Sequence, residues 1–301
     1  MNDYMIRATA RRKGQQEAEL RAFAVSARGV AEEARRAHDT TPVVTAALGR
    51  TMCAALMMGD MLKEDDDLLT IRIDSDGPMR GLTVTADRNG HVNGYPNRNA
   101  VLVPNRADGH LDVGAAVGKG TLTVIRDLGL KDPYVGTIDL QSGEIAEDLT
   151  YYFAVSEQIP SSVGLGVLVG GDKSVLQAGG FLIQLMPFAS EETITQLEQN
   201  IRQAPAVTEL LREGLSPEDM LARLLDGFSL EVTETLPVAF HCNCSKERVE
   251  KALLLIGKDA LEEIAKDGKE EKVNCRFCNK SYVFSPEELK KILSRRSEAS
   301  V

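Results

Sequence analysis

The stretch Phe240-His241-Cys242-Asn243-Cys244-Ser245 is answered, after a 30-residue spacer between the inner cysteines, by Cys275-Arg276-Phe277-Cys278-Asn279. These two segments decide how the C-terminal end of the chain folds. Four of the five cysteines fall in two close pairs, which matches the ligand count and softness of a structural zinc site. Residues 236–240 read as extended, and side chains two apart on a strand face the same way, so Cys242 and Cys244 reach a single ion. In the second pair, a tight turn needs a left-handed residue after the last cysteine, and Asn279 is suited to that conformation. His241 is a weaker alternative ligand, because alternation points it away from Cys242.

The spacer reads as a device that brings the pairs together. Ser245 caps a helix carrying Val249, Ala252, Leu253 and Ile256, and Gly257 ends it. Asp259 and Glu262 form a capping box for a second helix that stops at Gly268. A hairpin then carries Val273 and the second pair, with Tyr282-Val283-Phe284 returning, and Ser285-Pro286-Glu287-Glu288 starts a last helix. A module of about 60 residues with so few large apolar groups needs a staple. Clustered thiolates held by a metal are also nucleophilic towards oxidants when solvent reaches them. Each pair is near enough in sequence to close on itself where local strain permits. A structural staple and a redox switch therefore both fit the spacing.

Upstream, the chain changes texture. A short strand is expected at 4–8, an amphipathic helix over 15–38, and a second helix from Pro42 to about Lys63. That second helix is apolar almost all round through Ala46, Leu48, Met52, Leu56 and Met57. Its methionines suit either core packing or a pliable groove, and core packing is the simpler reading. From Leu68 to Met186, alternating runs at 69–73, 82–86, 121–125 and 134–138 are punctuated by Gly, Asn, Asp and Pro and read as strands. A short helix is expected over 147–158, and 163–169 and 181–186 are apolar enough to be central strands. The fold class expected is α+β. It comprises an N-terminal α+β domain (1–187) with a mainly antiparallel sheet and buried helices, a helical linker (188–235) and a small zinc-binding module (236–295).

The linker carries clear helix starts at Ser190 and at Ser216-Pro217-Glu218-Asp219. Its apolar stripes are Ile194, Leu197 and Ile201, then Met220, Leu221, Leu224 and Leu225. Such short helices are marginal alone and draw their order from docking. A conditionally folded linker and an ordinary helical subdomain fit equally well.

The chain has a net charge of −10 over 301 residues. From His241 onward, 13 basic residues stand against 11 acidic ones, so the preceding part holds 22 against 34. An acidic body argues against broad nucleic-acid or membrane binding. Met1 to Arg12 lacks the apolar run of a signal peptide, and no window holds the roughly 18–20 uninterrupted apolar residues of a membrane span. A cytoplasmic location is expected, where clustered cysteines bind metal or respond to oxidants.

Cys-x-Cys, a long spacer and Cys-x-x-Cys at the end of an acidic 32.8 kDa chain resemble the redox-regulated heat shock protein 33 family, the 33 kDa chaperonins. Further blocks carry the resemblance: Pro42 with Ala47-Leu48-Gly49-Arg50, Gly118-Lys119-Gly120 leading to Arg126-Asp127-Leu128-Gly129, and Glu147-Asp148-Leu149 through Ser156-Glu157-Gln158. Ala178-Gly179-Gly180-Phe181, Gln184-Leu185-Met186-Pro187 and Phe240 to Ser245 continue it. The resemblance implies an ATP-independent holdase, not an enzyme, that is inactive while reduced and zinc-bound. It implies one zinc on Cys242, Cys244, Cys275 and Cys278. On oxidation it implies disulfides Cys242–Cys244 and Cys275–Cys278, zinc release, a loosened linker and capture of unfolding proteins under oxidative stress, often as a homodimer.

Two other classes compete. A zinc ribbon could contact nucleic acid through Lys246, Arg248, Lys251 and Arg276, but Glu247 and Glu250 interleave with them. An enzyme would need more than is here. Gly118-Lys119-Gly120 lacks the spacing and the hydroxyl of a phosphate loop, and Gly164-Leu165-Gly166 lacks the following helix. His38, His91 and His110 have no partners at catalytic spacing, and Cys53 sits within an apolar helix.

Overall fold

The computed structural model describes residues 3–255 and 269–299. The expected helix end at Ile256-Gly257, the capping box at Asp259 and Glu262 and the stop at Gly268 lie outside the described residues. The chain forms two compact units, Met1–His241 and Cys242–Val301.

The first unit holds two sheets. One has five strands in the order β10-β1-β2-β9-β8: β1 (Tyr4–Arg12), β2 (Leu20–Ser26), β8 (Ser161–Val169), β9 (Val175–Leu185) and β10 (Phe228–Pro237). The other has six, in the order β11-β5-β4-β3-β6-β7: β3 (Leu68–Ser75), β4 (Leu82–Ala86), β5 (His91–Pro96), β6 (Gly120–Asp127), β7 (Tyr134–Asp139) and β11 (Ala239–Phe240). Every pairing is antiparallel except β11 on β5. Helix α1 (Arg28–His38) and α2 (Pro42–Gly59) follow β2. The α+β class with a mainly antiparallel sheet is as the sequence predicts.

Helix α2 packs against strands of both sheets. It is long and apolar enough to cross a membrane, yet nearly all of it is buried inside this unit. Met52, Met57 and Cys53 are sealed in the core, so these methionines pack the interior, while Met58 in the last turn also lines a cleft. Burial pushes the Cys53 thiol up to about 12, which leaves it inert.

The single helix expected over 15–38 is a strand followed by a helix. Leu20, Ala22 and Ala24 point to one face of β2, and Phe23 and Val25 to the other. A strand buried on both faces loses the polar alternation that marks strands, and its alanines mimic a helical stripe. Residues 163–169 do form a strand, but β8 lies at the end of its sheet. It is apolar because α2, α4 (Ala146–Tyr152) and α6 (Val207–Arg212) pack on it.

Several motifs singled out in the sequence have structural roles. Gly166 lets α6 approach β8, since a Cβ there would lie 3.1 Å from the Thr208 amide nitrogen. Around Gly118-Lys119-Gly120, Asp76 N–H donates to the Lys119 carbonyl and Asp76 Oδ1 accepts from the Lys119 N–H, both at 2.8 Å. Asp148, fully buried, accepts from the amides of Gln141, Ser142 and Ile145 at the start of α4. A π-helical turn (Phe153–Glu157) completes that helix.

Glu32 ties α1 to β9. It accepts from Arg35 and Arg36 at 2.8 Å and from the Val175 amide at 2.9 Å. The Arg35 guanidinium, helped by Val175 and Arg36, holds its carboxyl down to about 2 despite partial burial. A carboxyl depressed in the folded state stabilises fully above its unfolded value, and that stability fades as pH falls towards the folded one. Glu32→Gln is therefore expected to lower the urea midpoint at pH 7. The gap from the parent should narrow steadily as pH drops below about 4.5. An equal gap at pH 6 and pH 3 would remove Glu32 as the cause.

Beyond β9 come α5 (Glu191–Gln203), α6 and α7 (Pro217–Leu224). Ser190 Oγ accepts from the Thr193 amide, and Ser216 forms a reciprocal capping box with Asp219, as their sequences predict. The expected helical stretch ends there, and residues 228–237 are the edge strand β10, paired along β1. Leu197, Val207, Leu210, Leu211, Leu221 and Leu224 cover the sheet face made by Ile6, Ala8, Ala22, Ala24, Phe181 and Ile183. The two faces of one sheet thus carry two separate cores.

Candidate metal centre

The second unit contains α8 (Lys246–Leu255), a hairpin of β12 (Glu271–Asn274) and β13 (Ser281–Phe284), and α9 (Pro286–Ala299). Ser245 Oγ accepts from the Arg248 amide at 3.2 Å, and Ser285 and Glu288 cap each other's amides at 3.2 and 2.8 Å. These caps fix where each helix leaves the cysteine-bearing loops. In the second loop, Asn279 N–H donates to the Cys275 carbonyl at 2.7 Å and Cys275 N–H to the Lys280 carbonyl at 2.8 Å. Asn279 adopts φ +58°, the left-handed turn that its place after Cys278 predicts.

The four sulfurs of Cys242, Cys244, Cys275 and Cys278 lie within 4.8 Å of one another. Cys242 Sγ is 3.7 Å from Cys275 Sγ, and Cys244 Sγ is 3.4 Å from Cys278 Sγ. All four are free thiols. Four thiolates arranged tetrahedrally at about 2.3 Å from one ion sit roughly 3.8 Å apart, so this spacing fits a metal-thiolate site. His241 is not part of the cluster. Its ring lies 4.6 Å from that of His91 on β5, its N–H donates to the Val92 carbonyl, and its own carbonyl accepts from Asn93.

Tyr282 supports the cluster. Its hydroxyl lies 2.9 Å from the Cys244 carbonyl and 3.2 Å from Cys244 Sγ. Burial raises the Cys244 thiol, but donors led by Tyr282 and Cys278 outweigh it and hold it down to about 7. Burial raises the Cys242 thiol, and it raises Cys278 to about 11. The Tyr282 hydroxyl thus favours the thiolate form of Cys244. The sequence reading named the four cysteines but missed Tyr282, whose role depends on β13 placing its side chain beside the first loop.

The small core of this unit is made of Leu253, Tyr282, Phe284, Leu289 and Ile292. Lys246 bridges α8 to Glu288 at 2.6 Å and lies 5.1 Å from the Phe284 ring centroid. The basic residues named for a nucleic-acid ribbon are thus partly engaged in holding the module together.

A family model described as Hsp33 protein matches residues 3–285. A 33 kDa chaperonin of Lachnoclostridium phytofermentans is 54% identical over 98% of this chain and 99% of its own length. That of Clostridioides difficile is 52% identical over 97% and 99%. The crystal structure of the 33 kDa chaperonin (heat shock protein 33 homolog) from Thermotoga maritima superposes with a TM-score of 0.91 at 37% identity, covering 99% of this chain and all of that one. With the thiol cluster in place and the likeness running end to end, the chain belongs to the Hsp33 family of 33 kDa chaperonins.

Proposed function

We propose that this chaperonin is a redox-regulated, ATP-independent holdase of the cytoplasm, held inactive by zinc on Cys242, Cys244, Cys275 and Cys278. The gathering of four thiols from two distant segments within 4.8 Å carries this reading. Zinc is favoured over harder metals by the all-sulfur donor set, and when bound it keeps the four thiolates deprotonated and crosslinks the two loops.

Oxidation acts on the sulfurs themselves. A peroxide takes two electrons from each thiolate pair and, with two protons, leaves as two waters while one S–S bond forms. Pairing within Cys242–Cys244 and within Cys275–Cys278 removes the whole ligand set and closes only short loops. Cross-pairing of Cys242 with Cys275 would keep the segments tied. The local pairing is therefore the one that dismantles the module, since a structural zinc contributes about 10–16 kcal/mol and a short-loop disulfide only about 2–3 kcal/mol.

Cys242 lies two residues beyond the end of β11 in the chain. Loss of module order releases residues 188–235, whose helices α5–α7 cover an alanine-rich sheet face. That face, with the leucines that cover it, binds partly unfolded client proteins, and the oxidised chain acts as a homodimer. Neither nucleic acid nor membrane is a partner.

The test follows aggregation of a heat-labile client by light scattering, with reduced and peroxide-treated protein, while released zinc and disulfide-linked peptides are measured. We expect suppression only after oxidation, with about one zinc released per chain. Equal activity in both states would refute the switch. Zinc retained through full activation, or cross-paired peptides in the active form, would refute the mechanism.

A further inference from the structure

Away from the thiols, one partly buried guanidinium lines a cleft. Arg21 on β2 is partly buried and lies 5.5 Å from the Phe23 ring centroid. Its Nη2 donates to Gln184 Oε1 at 2.6 Å, and the same nitrogen is 4.0 Å from Met61 Sδ. Gln184 is 1% exposed and donates its own amide to Ser161 Oγ at 3.1 Å, so its orientation is fixed. Among the described residues, no carboxylate forms an ion pair with Arg21. Asp60, whose charge favours it, is paired with Arg7 at 3.1 Å. Burial works against the Arg21 charge, and Arg7 adds like-sign repulsion. A partly desolvated guanidinium with donors open to a cleft gains from an anion that takes them.

Arg21 and Gln184 line a cleft of about 410 Å³, which is within the range of small-ligand sites. Its apolar walls include Met58 in the last turn of α2, Met61 and Leu62 just beyond that helix, and Phe153 and Ile159. Three of the other charged groups of the cleft are engaged, while the side chains of Lys63 and Glu64 are exposed. Arg126 pairs with Glu157 at 2.7 Å, Glu157 also accepts from Tyr152, and Asp67 accepts from the amides of Lys63 and Glu64. Arg21 and the exposed Lys63 are thus the cations left to meet a ligand, and of the two only Arg21 is partly buried.

We infer that this cleft binds a small amphiphilic carboxylate, with its head on the Arg21 fork and its hydrocarbon against Met58, Met61 and Phe153. A carboxylate matches the planar fork in two parallel hydrogen bonds. Glu64, Asp67 and Glu157 share the cleft with Arg21, Lys63 and Arg126, so its lining offers no net positive charge to a phosphate dianion. Apolar walls and one charged anchor select for both parts of such a molecule. The site involves none of the four thiols and does not rest on the holdase reading.

The test is calorimetric titration of the full, reduced, zinc-loaded chain with octanoate, with acetate as the head alone and 1-octanol as the tail alone. Octanoate should bind at least about tenfold more tightly than either, and Arg21→Gln should remove that advantage. Arg21→Lys, which keeps the charge but loses the fork, should fall between. If a variant fails to fold, the parent decides the question: the Arg21 Nε–H NMR resonance should shift with octanoate and stay still with octanol. Octanoate binding no tighter than octanol, binding undiminished in a folded Arg21→Gln chain, or an unmoved Arg21 resonance would each overturn the site.

Discussion

Replacing Cys275 with serine is expected to unfold the C-terminal unit while leaving the N-terminal unit folded. The reason is the disparity between their cores. The first unit buries α2 against two sheets with a continuous cluster from Met5 to Val238. The second buries Leu253, Tyr282, Phe284, Leu289 and Ile292 among its described residues, and a core so small does not offset the entropy of ordering its loops. A structural zinc site contributes roughly 10–16 kcal/mol of apparent binding energy, and removing one of four thiolates takes away a large share of it. In hydrogen exchange, the amides of Cys275 and Asn279, bonded to Lys280 and Cys275 carbonyls at 2.8 and 2.7 Å, report on the second loop. They should exchange as in an unfolded chain in the variant, and equally in the parent after chelation. Amides along the β3–β6 pairing should stay protected. Slow exchange at Cys275 and Asn279 in both conditions would show that the module stands without metal.

How much of this was legible in the sequence depends on how local the cause is. Cysteine spacing, the left-handed Asn279 and the caps Ser190, Ser216, Ser245 and Ser285 are set by a few neighbouring residues, and they read correctly. Strand β2 did not, because Ala22, Phe23, Ala24 and Val25 are all buried and only the surrounding layers make them a strand. Strand β10 was missed for the opposite reason. It lies at a sheet edge with its middle exposed, and Glu231 and Glu234 look like a solvated linker until β1 pairs with them. The same long-range dependence hides Arg21. Its sequence neighbours suggest a surface cation, and its place in a cleft appears only when α2, β9 and the π-helical turn converge around it.

Replacing Leu221 with aspartate is expected to produce holdase activity in the reduced, zinc-loaded chain, without any oxidant. Leu221 on α7 is fully buried against the alanine-rich face of the five-stranded sheet. Losing such a side chain costs about 2–5 kcal/mol, and an unpaired carboxylate in its place adds a further penalty of several kcal/mol. Helices of 13, 6 and 8 residues do not persist in water by themselves. The lowest-energy response is therefore for the helices to leave the sheet rather than for the carboxylate to stay buried. The sheet survives this because its other face is held by the core around α2. Once undocked, a stretch carrying ten acidic residues and three arginines between Ser190 and Thr235 repels itself and does not readily re-collapse. Light scattering with a heat-labile client should show suppression by Leu221→Asp at full thiol content and full zinc occupancy. Leu221→Met, which conserves volume, should still require peroxide. Should Leu221→Asp unfold the whole first unit by near-ultraviolet circular dichroism, Leu197→Asp on α5, nearer the rim of the same interface, replaces it. A folded variant with undocked helices and no activity until oxidised would mean that the clients meet the module itself and that the covered sheet face is only structural.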